Sequence, residues 1–238
     1  MENTGYVALS LAVGLQNKMD LIANNIANME TNGYKSSNVM FKEYVFNTSQ
    51  QKPLSMVEDY GNYRNFSPGA VQTTGNPLDV ALVGNGFMAV QTETGEKFTR
   101  NGAMQINAQG QLVNNMGQLV SDTGGKPILI PPDARDITIT PDATVYANGE
   151  ALGRLKVVKF ADPQQLTPVG NSLFTTTQAG VQDDATSMTQ GALEGSNVNS
   201  VIEMTNMIEV MRKYESVARL LQTEHDSQTS MIQRLAKI

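Results

Sequence analysis

Few residues in this chain could do chemistry, and their spacing assembles no reaction centre. There is one histidine and no cysteine in 238 residues. His225 stands between Glu224 and Asp226. A general acid or base needs a partner within hydrogen-bond reach. Immediate neighbours on a helix point to different faces, so His225 reads as a structural or interface residue. The adjacent carboxylates Glu58-Asp59 and Asp183-Asp184 fall in polar segments. Consecutive side chains leave opposite faces of a strand, and no calcium-loop spacing follows either pair; both read as surface turns. VGNGF (Val83–Phe87) lacks the third glycine and the following helix of a dinucleotide fingerprint, and reads as a tight β turn. The Asn47–Ser49 sequon has meaning only on a eukaryotic secretory route. Without cysteine there is no disulfide, thiolate metal site or cysteine nucleophile. The expectation is a chain that is not an enzyme, with no catalytic, cofactor-binding or metal-binding residues.

Charge and hydropathy narrow the partners. Lys and Arg total 17 against 23 Asp and Glu, a net charge of −6 without a basic cluster. A nucleic-acid groove needs a local basic stripe, so no nucleic-acid partner is expected. The apolar run Tyr6–Leu15 could pass for a signal-peptide core. It lacks the basic region in front, however, and QNKMDL follows in place of a small-residue cleavage site. Ten apolar residues are too few to span a bilayer, so an integral membrane protein is not expected.

The elements are legible from composition. Residues 5–28 are helix-periodic, and residues 36–75 are polar and irregular. From 76 to 179 the chain turns to short alternating runs such as GFMAVQT and RLKVVKF, broken by Gly, Asn and Asp. That is the pattern of strands and tight turns, with TETGEK and NAQGQL as hairpin loops. Residues 180–196 are again turn-rich. From about 198 to 237 there is neither Pro nor Gly and the period is helical. The predicted fold class is α+β: long N- and C-terminal helices packed as a coiled-coil-like core domain, with a mainly-β domain inserted between them. The helices would be rods of about 39 and about 60 Å.

Both helices carry apolar stripes. Ala8, Ala12, Leu15, Met19, Ile22 and Ile26 recur at intervals of four and three. Met204, Met207, Met211, Tyr214, Ala218, Leu221, His225, Gln228, Ile232 and Leu235 do the same, and Val201, Ile208 and Val217 widen the second stripe. This is heptad spacing. Two helices of one molecule would leave much of both stripes wet, although fully burying one medium apolar side chain contributes roughly 1.5–3 kcal/mol. The expectation is that other copies of the chain, or its relatives, cover the remainder. Asn32-Gly33 reads as the left-handed stop of the first helix. Asn24, Asn25 and Asn28 are poor mid-helix residues and read as interface or turn-docking groups.

Three blocks resemble the flagellar axial proteins, the rod and hook family. ANNIANMETNGYK (Ala23–Lys35) is similar to the family's N-terminal signature. Thr74–Val120, with its Leu-Asp-Val strand, Gly-x-Gly-Phe turn and Thr-Arg-x-Gly, resembles its shared β domain. LEGSNVNSVIEMTNMIEVMRKYES (Leu193–Ser216) resembles its C-terminal signature, departing at Met211-Arg212 where the family usually reads Gln-Arg. The brief stretch from Lys42 to Gly75, without the long insertion of distal-rod or hook subunits, points to a proximal-rod member.

The resemblance implies an inner core domain formed by helical segments 1–35 and 197–238. It also implies linkers at 36–75 and 180–196 and an outer β domain at 76–179. It implies a structural subunit polymerising through its terminal helices into a hollow drive shaft, located in the periplasmic rod of the basal body. The implied partners are copies of itself, other proximal-rod subunits, the distal-rod protein and the flagellar type III export apparatus, with export requiring no cleaved signal. The candidate assembly interface is Leu15, Met19, Ile22, Asn24, Asn25, Ile26, Asn28, Met204, Met207, Met211, Tyr214, Ala218, Leu221 and His225. Two alternatives stay open: a distal-rod or hook subunit, and a wall-glycan-binding β module with helical arms. The second needs a stacking platform from the few aromatics Phe87, Phe98, Tyr146, Phe160 and Phe174.

Overall fold

A computed structural model describes residues 2–46 and 54–235. The Asn47–Ser49 sequon lies outside the described residues. The chain divides into two units. One consists of the described residues of Met1–Ala27, Ser37–Arg64 and Asn199–Ile238; the other is Asn28–Ser36 with Asn65–Val198.

The first unit holds the helices α1 (Glu2–Ala27) and α2 (Ser200–Leu235) and the strands β1 (Ser37–Phe46) and β2 (Leu54–Arg64), which pair antiparallel with a bulge between Met40 and Phe41. Asn199 starts α2 as an N-cap, its Oδ1 accepting from the backbone N–H of Val201 (3.1 Å) and Ile202 (3.2 Å). Glu203 in the first turn complements the helix dipole. Asn25 is buried and docks β1: its Nδ2 donates to Ser37 O (2.9 Å) and its Oδ1 accepts from Ser37 N–H (3.0 Å). The turn-docking reading of that asparagine thus has a specific partner. Residues 36–75, read as a linker, carry β1, β2 and a further short strand.

The second unit contains the remaining strands. In chain order these are β3 (Val71–Thr73), β4 (Val80–Val83), β5 (Phe87–Thr92), β6 (Gly95–Thr99), β7 (Met104–Ile106), β8 (Leu112–Asn114), β9 (Leu119–Val120), β10 (Ile137–Ile139), β11 (Thr144–Ala147) and β12 (Glu150–Arg154). They continue with β13 (Val157–Lys159), β14 (Thr167–Pro168), β15 (Leu173–Thr175), β16 (Val181–Gln182), β17 (Ser187–Gln190) and β18 (Ala192–Glu194). A main sheet runs β14-β15-β6-β5-β9-β8-β7, with β13 pairing both β5 and β16. β10-β11-β12 form a second sheet, and β4 pairs β17 while β3 pairs β18.

Strand β5 sits at the centre and is buried on both faces. Met88 and Val90 belong to one apolar cluster with Val80, Leu112 and Val120. Phe87 and Ala89, one residue out of phase, belong to another with Phe98, Phe160 and Phe174. The turns follow from sequence. Asn107 and Asn114 each begin an Asn-x-x-Gly-Gln turn in which Asn Oδ1 accepts from the backbone N–H groups two and four residues on. Gly110 and Gly117 supply the left-handed φ of +76° and +78° that this turn requires.

The expectation of a coiled-coil-like helical core is corrected. Among the described buried apolar residues, only Ala8, Leu15, Ile22 and Val210 belong to the helical unit; the hydrophobic core of the protein is the β unit. The apolar stripe of α2 is too wide for one partner. A single α1 of 26 residues, about 39 Å, also cannot cover an α2 of 36 residues, about 54 Å. Gly33 has the left-handed φ of +68° expected of a helix stop, but α1 ends six residues earlier, at Ala27. Gly33 instead permits close backbone approach: a Cβ there would lie 2.5 Å from Asn101 N. Asp183, expected on a surface turn, is buried and bonds Thr186 Oγ1, whereas Asp184 is exposed and pairs with Arg154.

One ionic cluster fastens the β unit. Glu194, Lys35 and Arg100 are each 3% exposed or less. Glu194 Oε1 accepts from Lys35 Nζ (2.6 Å) and the Gly69 N–H (3.0 Å). Its Oε2 accepts from Arg100 Nε (2.8 Å), with the Arg100 NH2 nitrogen at 2.7 Å. The second positive charge is spread over carbonyls: Lys35 Nζ also donates to Ser67 O, and Arg100 to Leu82, Gly84 and Gly86 O. Burial pushes the Lys35 ammonium below its ordinary pKa, and its bond to Glu194 pulls it part of the way back. Replacing Glu194 by Leu strands two buried cations and is expected to cost about 3–5 kcal/mol. Lys35→Met leaves the Arg100–Glu194 pair intact and is expected to cost less than half as much. Urea unfolding followed by circular dichroism checks the order.

Candidate functional site: the uncovered faces of the terminal helices

The helix pair shows which part of each stripe is used within one copy. Leu15, Ile22 and Val210 are buried together, with Leu11, Met19, Ile26, Met207, Tyr214 and Val217 partly buried around them. On α1 the expected seam is the packed one. On α2 the packed line is displaced by one residue from the expected line, running through Glu203, Met207, Val210, Tyr214, Val217, Leu221 and Glu224. Met207, Tyr214 and Leu221 therefore face inward, while Met204, Met211, Ala218 and His225 are exposed. Val210 and Val217 complete the packed face. Val217 had been assigned to the flank and Val210 to no face, because a stripe apolar at 201, 204, 207, 208, 210 and 211 does not show which of its edges meets a neighbour.

The asparagines separate. Asn25 docks β1, and Asn24 is exposed on α1. Asn28 lies past the helix, in the β unit, where its Oδ1 accepts from Thr31 Oγ1 (3.2 Å) and its carbonyl from Thr31 N–H.

The uncovered apolar surface forms two strips. On α1, Tyr6, Leu9 and Val13 are exposed at spacings of three and four, a signal visible in the sequence beside the seam. On α2, Val201 (72% exposed), Met204, Ile208 (53%) and Met211 continue the same alternation. From His225 to Leu235 every residue of α2 is exposed, including Met231, Ile232 and Leu235. Charge borders the α2 strip: Lys213 Nζ donates to Glu209 Oε1 (2.6 Å), and this bond, with lesser help from Lys18, holds the Glu209 carboxyl below its usual range. Such an exposed i,i+4 pair, screened by solvent, contributes little to stability.

Nothing on this surface is arranged for bond-making chemistry. Glu224 turns toward the packed face beside exposed His225, and Asp226 accepts from Gln222 Nε2 (2.8 Å). No group of three or more potential metal ligands occurs among the described residues. No helix among them is long and apolar enough to cross a membrane. In the β unit, Phe87, Phe98, Phe160 and Phe174 are core residues: Phe87 and Phe174 pack edge-on with Phe66 and each other at 5.7 to 6.0 Å, and Phe98 packs edge-on with Phe160 at 4.8 Å. They present no platform to a sugar.

Two apolar-striped helices with a β-rich middle between them in sequence are the arrangement that the three resembling blocks imply for the flagellar axial class. Family models agree along the chain: the flagellar basal body rod protein model matches residues 6–35, the flagellar hook protein FlgE/F/G D1 domain 81–147, and the flagellar basal body rod FlgEFG protein C-terminal model 189–234. The chain belongs to the flagellar basal-body rod protein family, a family of structural proteins and not of enzymes. It is 36% identical to the flagellar basal-body rod protein FlgF of Caulobacter vibrioides over the full length of both chains. It is 33% identical to FlgF of Mesorhizobium japonicum, covering 99% of this chain and 98% of that one. It is 34% identical to the rod protein FlgG of Agrobacterium fabrum, covering 93% and 95%.

The two classes of helix position are expected to respond differently to charge. Ile22→Asp places an unpaired carboxylate in the seam and is expected to destabilise the helix pair by about 3–5 kcal/mol. Met211→Asp, on the uncovered face, is expected to change stability by no more than about 0.5 kcal/mol. Thermal melts at 222 nm on the purified chain measure both.

Proposed function

We propose that this chain is a subunit of the proximal rod, which polymerises through the uncovered faces of its terminal helices into the shaft that carries motor torque. The observation that carries the reading is the double strip of exposed apolar residues: Tyr6, Leu9 and Val13 on α1, and Val201, Met204, Ile208 and Met211 on α2. Strips of this size on helices that already have a packed face are the signature of a surface awaiting neighbours. The full-length match to proteins named FlgF supports a proximal-rod assignment over a distal-rod or hook one.

In this reading Met204, Met211, Ala218 and His225 meet neighbouring subunits. Leu15, Met19, Ile22, Ile26, Met207, Tyr214 and Leu221 shape the pair that presents them. The neighbours are further copies, other proximal-rod proteins and the distal-rod protein, within the periplasmic rod of the basal body. Delivery is by the flagellar type III export apparatus. The helical pair forms the inner part of the tube and the β unit the outer part. Each newly covered side chain, already about half hidden, would add on the order of 1 kcal/mol. Stability of the helical unit would then rise with occupancy of the neighbouring sites.

Cells whose own copy is replaced by Met211→Asp or Ile208→Asp are expected to export the subunit, fail to incorporate it and lose motility. Basal bodies purified with normal amounts of either variant, together with normal swimming, would overturn the reading.

A further inference from the structure

The chain passes between its two units four times, at 27/28, 36/37, 64/65 and 198/199. Within the β unit, three of these passages are fastened together by one side chain. Asn197 Oδ1 accepts from the Ser36 N–H (2.8 Å), and its Nδ2 donates to Asn65 O (2.7 Å) and Ser67 O (3.1 Å). Its own N–H donates to Tyr34 O (3.3 Å), and Asn65 N–H donates to Ser36 O (2.9 Å). The stretches 34–36, 65–67 and 194–197 are therefore one hydrogen-bonded knot, although they lie far apart in sequence. The knot is rooted in the core. Phe66 packs on Phe87 and Phe174, and Lys35 and Glu194 are members of the buried ionic cluster. Gly69 lies so close to Gly195 that a Cβ on it would stand 2.0 Å from the Gly195 carbonyl oxygen.

Tension entering at residue 198 would otherwise reach β18 directly. That strand has three residues, paired end to end with the three of β3. Few backbone pairs hold a strand of that length against a pull on its end. A carboxamide that bonds two other passages engages several bonds at once, so that they must break together.

We infer that Asn197 is a mechanical fastener, sharing tension on the chain leading into α2 with the chain leading into β1 and out of β2. Its use in the cell rests on the rod reading; its existence can be measured on the isolated chain, so the two can fail separately. The protein has no cysteine, which allows handles to be attached at two introduced thiols. With handles at Val201→Cys and Met116→Cys, the force crosses the passage at 198. With handles at Met116→Cys and Val169→Cys, both exposed positions of the β unit, it does not.

Asn197→Asp keeps the acceptor for Ser36 but sets a carboxylate against two carbonyls. At equal force in optical tweezers it is expected to unfold at least about tenfold faster in the first geometry and within about twofold of the parent in the second. Asn197→Ala, which adds no charge, is expected to give the same order. Unchanged rates in the first geometry, or equal acceleration in both, would overturn the inference.

Discussion

The carboxylate of Glu194 is the constraint on which the β unit depends. It is sealed from water and holds two cations, one from the N-terminal part of the sequence and one from its middle. A lone buried charge is costly, so neither cation is readily accommodated unless Glu194 is in place, nor Glu194 without a cation beside it. Lys35 reaches Glu194 only if the turn after α1 is docked, and Gly33 allows that docking by bringing its backbone against Arg100-Asn101. Arg100 reaches it only if β4 and the turn before β5 offer their carbonyls, and its guanidinium also lies 5.9 Å from the Phe87 ring centroid. The cluster is thus a test that the N-terminal, central and C-terminal segments have met in one arrangement. Ion pairs of this kind are poor sources of net stability but strong penalties against partial structures.

The same three residues give physical content to the family resemblance. Lys35 closes the first block, Arg100 lies in the second and Glu194 opens the third. The blocks read as separate signatures along the chain, yet in the fold they are parts of one assembly. Gly33, Lys35, Arg100 and Glu194, in three short stretches, are bound together: Gly33 N–H, Lys35 and Arg100 all donate to Glu194. Spacing could not reveal this: 159 residues separate Lys35 from Glu194, and a lysine and a glutamate in polar turns look like surface residues until the topology is known.

What could be read from sequence, and what could not, follows from how local the cause is. The extent of α1 and α2, the hairpin turn at Thr92–Gly95 and the turn at Asn107–Gln111 are set by neighbours in the chain and are legible there. So was the packed line on α1, where Leu15, Met19, Ile22 and Ile26 recur at intervals of four and three. The coiled-coil core was not there to be found. Heptad spacing on α2 is a property of a stripe wide enough for two contacts, and periodicity cannot tell which contact lies inside the copy. β1 and β2 escaped because their apolar residues come in runs, such as Val39–Phe41 and Tyr44–Phe46, and do not alternate with polar ones. Their pairing depends on partners in register rather than on alternation. Asp183 looked like half of an acidic pair, but its role was set by Thr186 and by a glycine turn about a hundred residues away.

The division of the molecule then has a consequence for assembly. The β unit has two apolar clusters and a satisfied ionic centre, everything a fold needs to stand alone. The helical unit has a seam with few fully buried side chains and a longer helix that is exposed at every residue from His225 to Leu235. Helical stability in proteins comes mainly from packing an apolar face, so a unit with half of its faces uncovered is the less stable part of the free chain. That asymmetry suits a protein whose relatives are rod components. On the proposed rod reading, the β unit would be folded before assembly and the helices would gain stability from neighbours, which would favour the polymer without requiring tight binding at any one side chain. A chain with both faces of both helices already satisfied would be more stable alone and would have nothing left with which to join the next.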